Sequence, residues 1–230
     1  MLDKSTENKR LAKNTLVLYL RMLFTMVLQL YTSRLVLQAL GVEDYGIYNV
    51  VGGVIAMLNF VNMSLSNADS RFIAVAIGSG NQGYVRKLFS CIMSIHWLFS
   101  IVILLFAETV GLWFVMNKLV IPEGRMTAAI WVYQSAIVSS LITIISSPYN
   151  GLIIAHEKMS AFALISIFDA LSKFCVAVVL FYSPIDRLIL YAILYVFILI
   201  IVRLMYTFYC KKNFEESAYY ITWDKTISSK

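Results

Sequence analysis

The chain has 230 residues, of which 60 % are hydrophobic and only 14 % charged, with a formal net charge of +6. A soluble domain carries about 25 % charged residues to cover its surface, so lipid must solvate much of this chain; the same composition excludes a disordered protein. The positive balance fits basic loops beside a membrane better than a nucleic-acid surface, and no nucleic-acid partner is expected.

Residues 1–14 are polar and carry Lys4, Lys9, Arg10 and Lys13. The apolar run that follows has polar interruptions and no small-residue cleavage site, which predicts a retained helix and not a removed signal peptide. Six apolar segments succeed one another at Thr15–Leu40, Tyr45–Ala68, Leu88–Val115, Met126–Ser147, Ser160–Tyr182 and Leu188–Cys210. Each has the roughly 20–25 residues that a helix needs to cross ~30 Å of hydrocarbon. The third is long enough to tilt or to end in an interfacial turn at Gly111-Leu112-Trp113. Turn signals separate the segments at Gly41-Val42-Glu43-Asp44, Gly78–Gly83, Ile121-Pro122-Glu123-Gly124 and Ser183-Pro184-Ile185-Asp186. The expected fold is therefore all-α, a polytopic membrane bundle of about six helices over 15–210, with a polar tail at 211–230.

Loop charge orients the bundle. With the amino terminus inside, the cytoplasmic segments hold Lys4, Lys9, Arg10, Lys13, Arg71, Arg86, Lys87, Lys158, Lys211, Lys212, Lys225 and Lys230, against Arg34, Lys118, Arg125 and Arg187 outside. Both termini are then expected in the cytoplasm, and Trp113, Trp131, Tyr133 and Tyr182 near the outer interface. The connections are too short for a soluble catalytic domain, so function is expected between the helices and an enzyme is not.

Helical spacing gathers polar residues into stripes. Arg21, Thr25, Gln29 and Thr32 share a face of the first helix, and Asn49, Gly52, Ala56, Asn59, Met63 and Ser66 a face of the second. Ser135, Ser139, Thr143, Ser146 and Asn150 line up on the fourth, and Ser166, Asp169 and Lys173 on the fifth. Small and hydroxylated stripes serve close helix packing or line a water-filled cavity. Charge favours the cavity for the first and fifth helices, because a lone cation at membrane depth costs about 2.5 kcal/mol or more. Asp169 and Lys173, four apart, can also pair on one helix face. Glu108 and Arg203 can reach an interface, and His96 reads as a buried packing residue more readily than as a proton relay. Glu43 and Asp44 suit the start of the second helix, where its dipole favours acids. Cys91, Cys175 and Cys210 with His96 and His156 have neither metal-ligand nor disulfide spacing, so no metal and no cofactor are expected.

The run Leu40-Gly41-Val42-Glu43-Asp44-Tyr45-Gly46-Ile47-Tyr48, preceded by Arg34 and followed by Arg71, resembles the amino-terminal signature of bacterial polysaccharide flippases. These are the Wzx-like transporters of the multidrug/oligosaccharidyl-lipid/polysaccharide exporter (MATE-like) superfamily. Ser146–Met159 (SSPYNGLIIAHEKM) and Asp169–Phe174 (DALSKF) are similar to the same group. The resemblance implies one lobe of a two-lobe, alternating-access transporter in the bacterial cytoplasmic membrane, its cavity completed by a missing second lobe or a second copy. It implies a lipid-linked oligosaccharide as the substrate, its pyrophosphate held by a cationic cavity. Arg21, Arg34, Arg71 and Lys173, with Gln29 and Asn59 of the stripes, are the expected cavity residues. Asp44 and Asp169 would set conformational state or ion coupling, and Gly41 and Gly46 would shape the first turn. A drug or cation antiporter of the same superfamily, or a half-molecule that transports nothing, are the alternatives.

Overall fold

Residues Asn14–Met57 form a single stretch apolar enough for a membrane, yet as one straight helix they would extend about 66 Å, roughly twice the hydrocarbon thickness. The computed structural model, which describes residues 4–122 and 124–217 and their side chains except those of 4–13 and 58–61, resolves this with one residue. Helix α1 (Lys4–Gly78) is broken at Gly41, whose φ of 81° and ψ of 169° are non-helical. The limbs on either side, 4–40 and 42–78, run antiparallel. Limb one lies beside α5 (Met159–Tyr182), with Arg21 at the level of Ser166 and Val36 and Ala39 packed against Ala177 and Leu180. Limb two lies beside α4 (Met126–Ala155), with Val51 against Val132 and Ile73 against Leu152. The Gly41 end of the bundle is therefore opposite the end where limb one begins and α6 finishes.

Helix α2 (Gln82–Phe106) starts at Asn81, whose side chain accepts from the Tyr84 N–H. It passes through a π-turn, Ala107–Gly111, into α3 (Leu112–Asn117) without interruption. The expected interfacial turn at Gly111 is thus a bulge within a continuing helix. Its cause is Tyr133, which is fully buried and donates its hydroxyl to the Ala107 carbonyl at 2.7 Å; a Cβ on Gly111 would lie 2.2 Å from that hydroxyl. Tyr133 is accordingly a core residue and not an interfacial one. Helix α6 (Arg187–Asn213) is capped by Asp186, which accepts from the N–H groups of Leu188 and Ile189, and a short 3₁₀ turn, Glu215–Ser217, follows.

Among the described residues, five helices are long and apolar enough to cross a membrane, and the first of them is folded in two, so six limbs make the bundle. The expected fold class holds, while several ends move. The second limb is already helical at Val42, Glu43 and Asp44, leaving Gly41 alone as the turn. Helix α4 does not stop at Ser147 but runs through Pro148 to Ala155. Proline deprives the Ile144 carbonyl of its amide partner; the His96 ring compensates, with Nδ1 2.8 Å from that oxygen. Around the outside, Leu20, Val27, Leu30, Leu105, Leu164 and Phe208 are exposed. That surface is apolar because lipid, not water, is its solvent.

Candidate functional site

The stripe on α4 is made of side chains too small to fill the gap between facing helices, and space opens along it. Toward the Gly41 end, a cavity of about 360 Å³ lies between limb two, α4 and α6, lined by Asn49, Gly52, Ser135 and Ser139 among others. Toward the terminal end, a second of about 390 Å³ lies between α4, α5 and α6, lined by Ser146, Asn150, Ser166, Asp169, Lys173 and Arg203 among others. Thr143, Tyr195 and Leu199 border both, which makes them two parts of one slot along the bundle.

The charge is concentrated in the second part. Lys173 donates from Nζ to Asp169 Oδ2 at 2.8 Å and lies 4.9 Å from the Tyr195 ring centre. Arg203 donates to Ser146 Oγ at 3.2 Å over the Tyr149 ring. Arg21 reaches in from limb one, donating to Ser166 Oγ at 3.3 Å and stacking on Phe162 at 4.7 Å. Each cation thus rests on an aromatic face, which offsets part of its desolvation. Two cations and one carboxylate line this part, and Arg21 touches its edge through Ser166 and Phe162. The match is incomplete: Arg21 Nε, Asp169 Oδ1 and Asn150 Oδ1 are buried without a hydrogen-bond partner.

The other expected site residues lie elsewhere. Gln29 and Arg34 are exposed on limb one and Arg71 on limb two, and none of the three lines either cavity. The side chain of Asn59 lies outside the described residues. Asp44 sits at the Gly41 end, where Arg125 donates to Asp44 Oδ1 at 2.8 Å and also to its Oδ2, and to Asp186 Oδ2 at 2.5 Å. One guanidinium thereby ties limb two, α4 and α6 together. The hydrogen bonds that Arg125 donates to Asp44 first, and to Asp186 second, raise its pKa. Burial opposes the charge of Asp186. Arg125 and the N–H groups of Ile189 and Leu188 outweigh that burial and hold its carboxyl below the ordinary range.

Sequence reasoning did not single out Arg125, Asp186 or Asp69. Arg203 carried only a weak signal, because a long cationic side chain deep in the sixth segment can still reach an interface.

Searches among curated proteins and among solved structures find no significant match. A family model described as polysaccharide biosynthesis protein matches residues 11–227, nearly all of the 230. The chain belongs to this polysaccharide biosynthesis family of membrane transporters, the family of Wzx-like flippases in the MATE-like superfamily.

Proposed function

We propose that this chain moves a lipid-linked oligosaccharide across the bacterial cytoplasmic membrane, by exposing a cationic slot to each side in turn. The observation that carries the reading is that Lys173 and Arg203 line a cavity whose lining holds a single carboxylate, with Arg21 bound to its lining residue Ser166. A diphosphate presents several acceptor oxygens, and guanidinium and ammonium donors at membrane depth suit it. Arg21 Nε, buried without a partner, offers a donor to such a group. The hydroxyls and amides of the upper slot suit a sugar. Asp169 would hold Lys173 in the empty state and release it when phosphate arrives. A cation antiporter would need the opposite balance of charge. A second lobe or a second copy would complete the slot, and the basic terminal end would face the cytoplasm.

The test is binding and glycan display in cells carrying the complete transporter. Lys173→Ala and Arg21→Ala should each weaken binding of a pyrophosphate-linked lipid by about 2 kcal/mol, roughly thirtyfold, and abolish surface glycan without lowering membrane levels. Asp169→Asn should tighten binding by freeing Lys173. Normal display in both cation variants would remove this cavity from the transport path.

A further inference from the structure

Pro148 lies inside α4. Having no amide N–H, it leaves the Ile144 carbonyl without its helical donor. His96, on α2, is 1 % exposed and brings Nδ1 to 2.8 Å from that oxygen. A carbonyl can only accept, so Nδ1 carries a proton. The other ring nitrogen, Nε2, lies 2.8 Å from Asp69 Oδ2 on limb two. Their approach is off the line of an ideal hydrogen bond, and neither atom has another polar partner.

This arrangement fixes the proton inventory. A neutral imidazole whose one proton is committed to Ile144 turns a lone pair toward Asp69, and an ionised carboxylate at that distance would repel it. The pair would also carry an uncompensated negative charge in a buried place. One further proton removes both problems, whether the pair is imidazolium with carboxylate or imidazole with carboxylic acid, and either form is neutral overall.

We propose that Asp69 and His96 form a proton-binding site that Pro148 creates: one proton beyond the Nδ1 proton is held between them in the buried interior of the bundle. Its loss sets limb two against α2, so occupancy of this site biases whether the two helices stay together. The surroundings supply no rival charge. Limb two contributes Asp69 and α2 the ring itself. From α4 come the Ile144 carbonyl and, at Gly151, bare backbone close to Asp69 Cβ. On α6, Arg203 is turned to Ser146 and Tyr149. Among the described residues, no other charged side chain contacts either member. The inference does not depend on what the slot carries.

The experiment is nuclear magnetic resonance of the full chain in lipid nanodiscs, with nitrogen-labelled histidine and carboxyl-labelled aspartate. His156→Gln leaves His96 as the only ring signal. In this spectrum the pair should hold one proton beyond the Nδ1 proton. That appears either as a doubly protonated ring or as a singly protonated ring beside a protonated Asp69. A singly protonated ring beside an ionised Asp69 at neutral pH would overturn the proposal. Pro148→Ala returns an amide N–H to the Ile144 carbonyl and frees the ring to place its one proton on Nε2. The Nδ1 signal should then change as that proton loses its acceptor, and an Nδ1 signal identical to that of the native chain would overturn the role given to Pro148. The wild-type spectrum decides the matter even if a variant does not fold, and it is independent of any transport defect.

Discussion

Arg125 illustrates how one side chain holds three helices. Its guanidinium bridges Asp44 and Asp186, both partly buried, and a bidentate fork between two carboxylates is stronger than an exposed ion pair. Removing it leaves two acids facing each other. Arg125→Gln should therefore destabilise the folded chain by about 1–3 kcal/mol, read as a lower thermal midpoint in detergent. The Asp186 carboxyl is held below its ordinary range. Its contribution is thus complete above the ordinary carboxylate value of about 4 and is lost as pH falls through the lowered one. Asp186→Asn should flatten the acid limb of the stability curve below about pH 4 by on the order of 1 kcal/mol; an unchanged acid limb would exclude Asp186. Gly111 is a second residue-scale case. A Cβ there would meet the Tyr133 hydroxyl at 2.2 Å and its Cζ at only 3.4 Å, and the ring is fully buried. Gly111→Ala should cost about 1–3 kcal/mol by overpacking. The double variant with Tyr133→Phe should recover the steric part, which a melting series of the four proteins would show.

The helices themselves were largely legible, because six apolar runs of membrane-crossing length leave few other structures. Their ends were not. A proline and a glycine pair are ambiguous signals, whose meaning depends on what lies beside them in space. Pro148 suggested a stop, but His96 supplies the donor that α4 lost, and the helix goes on to Ala155. Gly41 and Gly46 were both expected to shape the first turn; only Gly41 has a positive φ, while Gly46 lies within the helix with open space where a Cβ would sit. The conformation of Gly41 is one that other residues adopt at a cost of about 1–3 kcal/mol. Gly41→Ala should lower stability by that amount, through the backbone alone, because nothing lies within 4 Å of the new carbon. Gly46→Ala should be neutral or stabilising by up to about 1 kcal/mol. Equal effects in the two variants, measured by thermal unfolding, would refute this division.

At the scale of the whole molecule, the U-turn at Gly41 sets the direction of every later limb, so the start of limb one, the α2 start, the α4–α5 connection and the end of α6 share one end. With that end in the cytoplasm, Lys118→Cys and Pro184→Cys should label from outside with an impermeant maleimide, in a background lacking Cys91, Cys175 and Cys210. Asn81→Cys and Lys158→Cys should not; the reverse pattern would invert the proposed orientation. Hydropathy and spacing on their own determined the lipid-solvated bundle, its limbs and the polar stripes of α4 and α5, since those depend only on local composition and on 3.6-residue periodicity. Tertiary structure decided which charges meet. Arg21, Lys173 and Arg203 come from three separate helices, as do Asp69, His96 and the Ile144 carbonyl. Periodicity assigns a residue to a face of its own helix, but packing alone chooses what that face confronts. Arg34 and Arg71 show the converse, as cations beside a recognisable motif whose faces packing left exposed.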